Sequence, residues 1–171
     1  MSLDIFRPSY LFYQVEDISV EWLKRQDISY ILLDVDNTIA VWNEEQVSVT
    51  VEAWIREVLQ SKIKIMLISN SAAGRLERIS ARFGIGYISW AYKPFNHSFL
   101  KALHFLGCTD RKRALVIGDQ VFTDVLGGNR LGIKTVLLTP RFDKDYIWTK
   151  FVRILEKIVL KRLNISKKTR A

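Results

Sequence analysis

The chain has a single cysteine, three prolines and eight glycines among 171 residues. Cys108 has no second cysteine with which to close an internal disulfide, which agrees with a reducing compartment; near an expected helix end it reads as core filler. A membrane-spanning helix needs about 20 apolar residues in a row, and no stretch approaches this. Met1-Ser2-Leu3-Asp4 lacks the basic start of a secretory signal, so a soluble, cytoplasmic protein is expected. No repeat, low-complexity tract or Pro/Gly/Ser-rich linker interrupts the sequence. His97 and His104 are seven apart, not the four apart that presents a helical zinc pair, and no cysteine cluster joins them. No aromatic and basic RNA-binding motif occurs either.

What the chain does have is apolar bulk and an uneven charge. At 49% hydrophobic content it is long enough for one buried core, and a single domain over residues 1–171 is expected. The net charge is +8, but the first 140 residues hold sixteen bases against fifteen acids, whereas residues 141–171 hold ten against three. The basic end suits an anionic partner or, more plainly, a solvated surface helix.

Apolar runs alternate with helical patterns after a short N-terminal helix around Trp22-Leu23-Lys24, capped by Ser19. Strands are expected near 30–34, 64–69, 86–90, 113–118 and 133–138, and helices near 50–61, 73–83, 96–106 and 121–131. Gly84, Gly107 and Gly132 sit where left-handed helix stops belong. Strands this apolar are buried on both faces, so the expected class is α/β: a mostly parallel five-stranded sheet with helices on both sides. Ligands of such sheets bind beyond the carboxyl ends of the strands.

Four of the runs stop there on polar residues: Asp34-Val35-Asp36-Asn37-Thr38, Ser69-Asn70, Lys93-Pro94 and Gly118-Asp119. Alternate residues of an extended chain share a face, so Asp34 and Asp36 can lean toward one space, one to attack and the other to handle a proton. Any one of these strings alone is an ordinary turn or helix cap. Four in this order point to phosphoryl transfer.

The set resembles the haloacid dehalogenase (HAD) superfamily of phosphohydrolases across nearly all of residues 30–140. The last motif, Gly118-Asp119-Gln120-Val121-Phe122-Thr123-Asp124, matches the GDxxxxD form. Small size, the Asp-Asn-Thr ending and the stretch Thr123-Asp124-Val125-Leu126-Gly127-Gly128-Asn129-Arg130 are similar to YqeG-type, subfamily IIIA proteins, related to phosphatidylglycerophosphate phosphatases. The resemblance implies a Rossmann-like HAD fold with its catalytic core over about 28–140. It implies Asp34 as the nucleophile that forms an aspartyl-phosphate, and Asp36 as the acid and base. Asp34, the backbone carbonyl of Asp36 and Asp119 would hold Mg²⁺, with Asp124 as a fourth ligand or a support. The Ser69 hydroxyl and Asn70 N–H would bind phosphate, and Lys93 would add a point charge. The mitochondrial members place lysine between the two aspartates where this chain has Val35, a change that bears on substrate choice rather than reaction type.

Relatives often carry a cap domain between the first and second motifs or between the second and third. Here those intervals are 35 and 24 positions, enough for loop, helix and strand but not for a folded cap. An open pocket must gain selectivity from a partner, a neighbour in a homo-oligomer or a large substrate. In the expected C-terminal helix, about 144–163, Ile147, Trp148, Phe151, Val152, Ile154, Leu155, Ile158 and Val159 form an apolar face, with Lys150, Arg153, Lys157 and Lys161 as a basic stripe. Lys167, Lys168 and Arg170 extend the charge. Such a helix can dock on the core or lie on anionic lipid. The resemblance therefore implies phosphatidylglycerophosphate at a cytoplasmic membrane surface as substrate. The alternatives are a phosphatase of soluble sugar phosphates or nucleotides, and a nucleic-acid or ribosome-associated binding protein that uses the basic tail. Trp42 is expected to anchor its loop or roof the site, and Gly127-Gly128 to permit close helix packing.

Overall fold

A computed structural model describes residues 3–40, 46–139 and 147–165, except the side chains of 147–151 and 153. Trp42, Lys167, Lys168 and Arg170 fall outside the described residues. Six parallel strands, β1 (Tyr10–Phe12), β2 (Tyr30–Leu33), β3 (Lys64–Ile68), β4 (Gly86–Ile88), β5 (Ala114–Gly118) and β6 (Lys134–Leu138), form one sheet in the order β1-β6-β5-β2-β3-β4. Five are the expected ones. The sixth, β1, is three half-buried residues on the edge beside β6, too short and too evenly exposed to leave a period in the sequence.

The central strands divide their side chains by parity, as a pleated chain must. Ile31, Leu33, Ile65, Leu67, Leu115 and Ile117 face one layer, made by α1 (Val20–Arg25), α2 (Val49–Gln60) and α3 (Ala73–Phe83). Leu32, Met66, Ile68 and Val116 face the other, where α4 (Asn96–Leu106) inserts Phe99, Ala102, Leu103 and Leu106. Burying one such side chain contributes about 1.5–3 kcal/mol, and burial on both faces explains why the strands read as unbroken apolar runs. Serine hydroxyls cap the helix starts: Ser19 accepts from Trp22 N–H and Ser48 from Val51 N–H. Gly84 and Gly107 end α3 and α4 with φ of 64° and 72°.

Two further differences from expectation have physical causes. Residues 121–131 are not one regular helix; Val121–Val125 makes a wider π turn before α5 (Leu126–Arg130), with Val125 N–H reaching back five residues to Gln120 O. Close packing follows at Gly127 and Gly128, where an added Cβ would lie 2.4 Å from the Phe99 ring and 2.5 Å from Thr135 Cγ2.

Helix α6 (Ile147–Arg162) docks on the core, but not by the face expected. Leu160 and Leu163 are buried, Leu160 against Val121, Val125 and Leu137. Glu156 is buried in the same strip, while Ile154, Leu155 and Ile158 face solvent. The rotation follows from Glu156, whose carboxylate has backbone partners in the core. No helix among the described residues is long and apolar enough to cross a membrane.

Candidate active site

All six strands run the same way, so the loops after β2, β3, β4 and β5 meet at one edge of the sheet. Register sets the closest pair. Leu33 lies opposite Ile117, and Asp34 N–H donates to Ile117 O at 2.9 Å, placing Asp34 beside Gly118-Asp119. After Asp34 the chain turns at once. Val35 O accepts from Thr38, Ile39 and Ala40 N–H, and Asn37 takes a left-handed φ of 58°, which asparagine tolerates better than most residues. Val35 is fully buried in the core, so this position serves packing.

Asp34, Asp119 and Asp124 are buried, and one carboxylate oxygen from each lies within 4.8 Å of the others. Asp124 reaches the group because Gly118 has no side chain: a Cβ there would sit 2.3 Å from Asp124 Cγ. Its Oδ2 also accepts from Gln120 N–H and Thr123 Oγ1, each at 3.3 Å. Lys93, itself buried, places Nζ 2.5 Å from Asp34 Oδ1 and 2.6 Å from Asp124 Oδ1. Thr38 Oγ1 donates to Asp34 Oδ2 at 3.0 Å. Asn70 fixes the lysine's backbone from both sides, its Oδ1 accepting from Lys93 N–H at 2.7 Å and its Nδ2 donating to Lys93 O.

Asp36 is held by a network of its own. Oδ2 accepts from Ser69 Oγ at 3.0 Å and Ser71 Oγ at 2.7 Å, and Oδ1 pairs with the guanidinium of Arg75 in the first turn of α3. Ser69 Oγ in turn accepts from Ser71 N–H. The four sequence motifs thus converge, with Asp36 and Ser69 in one network and Asp34, Lys93, Asp119 and Asp124 in its neighbour. Ser71, Arg75 and the Asn70 side chain were not singled out from sequence. Nor was Glu156, whose Oε1 accepts from Val121 N–H at 2.5 Å and from Phe122 N–H at 3.4 Å, clamping the turn that links Asp119 to Asp124.

The electrostatics reflect this crowding. Burial raises the Asp34 carboxyl well above the usual range, Asp124, Asp119 and Asp36 push it further, and Lys93 opposes them. Burial alone would lower Lys93, but the carboxylates of Asp124 and Asp34 outweigh it and hold the ammonium charged. Three buried carboxylates around one ammonium make a site with excess negative charge, suited to a divalent cation with a preference for oxygen ligands. His97 and His104 lie apart from it, exposed on α4.

Residues 2–141 match the family described as mitochondrial PGP phosphatase. The "Probable phosphatase YqeG" of Bacillus subtilis (strain 168) is 33% identical over 158 residues, covering 92% of this chain and 91% of that protein. Phosphatidylglycerophosphate phosphatase 1, chloroplastic/mitochondrial, of Arabidopsis thaliana is 30% identical over 162 residues; the match covers 84% of this chain but 44% of that longer protein. Among solved structures, the cobalt-bound deoxy-D-mannose-octulosonate 8-phosphate phosphatase of Haemophilus influenzae superposes with a TM-score of 0.53 at 16% identity, covering 82% of this chain and 92% of its own. The Moraxella catarrhalis 3-deoxy-D-manno-octulosonate 8-phosphate phosphatase, in complex with magnesium, phosphate and KDO, gives 0.50 at 15% identity, over 84% and 92%. These two establish the shared fold. With the family match spanning most of its length, this chain belongs to the PGP phosphatase family, with the YqeG phosphatase as a full-length relative.

Proposed function

We propose that the chain is a Mg²⁺-dependent phosphomonoester hydrolase that works through an aspartyl-phosphate on Asp34 and acts on phosphatidylglycerophosphate at an anionic membrane surface. The observation that carries the reading is the buried group of Asp34, Asp119 and Asp124 with Lys93 between two of its members. The donor set fits Mg²⁺: three carboxylates, all hard oxygen ligands, within reach of one ion and short of positive charge. Bound there, the ion supplies the charge that lets an anionic carboxylate approach an anionic phosphate.

The chain's own residues do the rest. An Asp34 oxygen attacks phosphorus as the ester O–P bond breaks, dividing one difficult displacement into two easier ones. Thr38, bonded to the other Asp34 oxygen, holds the carboxylate in line. Asp36 protonates the departing alkoxide and later takes a proton from the water that cleaves the acyl phosphate; the two serines and Arg75 orient it for this work. Lys93 stabilises the nonbridging oxygens, and the Ser69 hydroxyl and Asn70 N–H complete the phosphate cradle.

The open mouth favours a substrate that is presented by a surface. Only α2 and β3 are described between Asp34 and Ser69, and only α3 and β4 between Ser69 and Lys93. Docking of α6 by its Glu156–Leu163 strip leaves Ile154, Leu155 and Ile158 exposed beside Lys157 and Lys161, which supports contact with anionic lipid from the cytoplasmic side. The test compares Mg²⁺-dependent phosphate release from phosphatidylglycerophosphate in anionic vesicles with release from sugar phosphates and nucleotides, for wild type and Asp34→Asn. Wild type should prefer the lipid, and Asp34→Asn should be inactive but folded. Preference for soluble esters removes the lipid assignment; near-wild-type turnover by Asp34→Asn removes the nucleophile.

A further inference from the structure

Strand β4 ends at Ile88, and the segment that follows delivers Lys93 to the site. Within it, Trp90, Tyr92 and Phe95 are 57%, 68% and 66% exposed, whereas Ala91 and Lys93 between them are buried. Three large exposed aromatics within six residues, flanking the lysine that enters the polar site, are a cluster of the kind that marks a binding surface rather than scattered apolar residues.

Their outward direction is built in. Trp90 and Tyr92 both adopt left-handed backbone, with φ of 47° and 50°. Bulky residues take that conformation only when their surroundings impose it. Here the imposing bonds come from the loop after β3: Trp90 N–H donates to Ser71 O and Ala91 N–H to Ser69 O, at 3.1 and 3.0 Å. Lys93 N–H donates to Asn70 Oδ1, and Ser98 Oγ donates to Ala91 O at 2.7 Å. The same contacts that turn Lys93 inward therefore turn its aromatic neighbours outward, rather than onto the core around Phe99.

The stretch of chain that carries them has charges of one sign, although Lys93 pairs with Asp34 and Asp124 and Arg82 with Glu52. No Asp or Glu occurs between Glu77 and Asp110, while Arg78, Arg82, Lys93 and Lys101 do. Leu100 and Phe105 of α4 add exposed apolar surface in this acid-free stretch.

We propose that Trp90, Tyr92 and Phe95 form an aromatic collar that seats the active-site mouth on an anionic phospholipid bilayer, so that a headgroup phosphate meets Lys93 without its lipid leaving the membrane. This rests on the lipid-phosphatase reading above. A bilayer fits better than a protein partner. Trp and Tyr rings have an apolar body and a polar tip and settle at headgroup depth, and the exposed bases Lys101 of α4 and Lys157 and Lys161 of α6 suit the negative potential of such a surface. Helix α6 reaches the same edge of the sheet, where Glu156 meets Val121 and Phe122, and brings a second apolar and basic surface.

The test is co-sedimentation of the full chain with substrate-free vesicles of phosphatidylglycerol and phosphatidylcholine, against phosphatidylcholine alone. Wild type should bind the anionic vesicles, and the triple variant Trp90→Ala/Tyr92→Ala/Phe95→Ala should bind them about tenfold more weakly or worse, a difference of about 1.4 kcal/mol. Its turnover on phosphatidylglycerophosphate vesicles should fall by a similar factor relative to turnover on p-nitrophenyl phosphate. A gentler variant, Trp90→Phe, should keep binding but lose much of the tryptophan quenching caused by brominated lipid. Binding by a folded triple variant within about twofold of wild type, or undiminished quenching in Trp90→Phe, overturns the collar. So does a triple variant that changes only the oligomeric state, since the aromatics would then be a contact between copies. The two readings separate cleanly: hydrolysis of phosphatidylglycerophosphate in detergent micelles without vesicle binding removes the collar alone, whereas collar-dependent binding without hydrolysis removes the lipid-substrate reading.

Discussion

Gly118→Ala places one methyl group against the site and yields a quantitative expectation. The new Cβ would lie 2.3 Å from Cγ and Oδ2 of Asp124, against an ordinary contact of about 3.5 Å, so the carboxylate must retreat by about 1.2 Å. Asp124 is bonded at 2.6 Å to Lys93 Nζ and lies in the triple-carboxylate group, so that retreat loosens both. A misplacement of about 1 Å costs roughly 100-fold in rate. Overpacking costs about 1–3 kcal/mol, only partly offset by the lower entropy of an unfolded chain with one glycine fewer. At about 2–4 °C per kcal/mol for a chain of this size, the melting temperature should drop by about 4–8 °C for a cost near 2 kcal/mol. The assays are phosphate release across a Mg²⁺ titration and thermal unfolding. The clash itself is isolated by a cycle with Asp124→Ala: with the carboxylate gone, the methyl has less to displace, so the double variant should be more stable than the sum of the single losses predicts. Additivity within about 0.5 kcal/mol, or Gly118→Ala turnover within about threefold of wild type, would refute the reasoning.

Glu156→Ala removes a buried acceptor of two backbone N–H groups; it should cost about 2 kcal/mol in denaturant unfolding and lower turnover, since the clamped turn carries Asp124. Restored stability in Glu156→Gln, which keeps an acceptor, would locate the effect in the hydrogen bonds. Metal and pH should be linked through Asp34. Burial and the neighbouring acids raise its carboxyl in the folded state, so the metal-free protein binds that proton more tightly than the unfolded chain does. Its contribution to stability is complete below the ordinary carboxylate range and fades as pH rises through the raised value. Mg²⁺ competes with the proton, so the thermal shift it produces should grow as pH rises from the ordinary carboxylate range through the raised value. An equal shift at both ends of that interval would contradict a metal site at this carboxylate.

Strands buried on both faces leave continuous apolar runs, and a polar residue that stops such a run is conspicuous. For that reason Asp34, Ser69, Lys93 and Asp119 could be located from sequence, along with the five longer strands. Arg75 left no such mark: a base in the first turn of a polar helix looks the same whether it faces water or Asp36. Glu156 was concealed by the opposite effect, a lone acid amid a basic stripe whose partners are main-chain groups about 35 residues away in sequence. Helix periodicity found the apolar residues of α6, yet could not rank two apolar strips, and the docked one is the strip that includes a carboxylate. Trp90 read as the end of a strand because its left-handed φ depends on bonds from Ser69 and Ser71, a tertiary cause with no local signature. Asp36 was legible as a candidate acid, but its bonds to Ser71 and Arg75 were not.

The ladder between β2 and β5 is the innermost pairing of the sheet, with two strands outside it on either side. It acts as a ruler for Asp34 and Asp119, and the outer strands can lengthen, bend or exchange their connecting loops without changing that measurement. The flanks are tied to that ruler at single points, Lys93 from the β4–α4 connection and Glu156 from α6, so the rest of each flank can change while those two side chains hold their places.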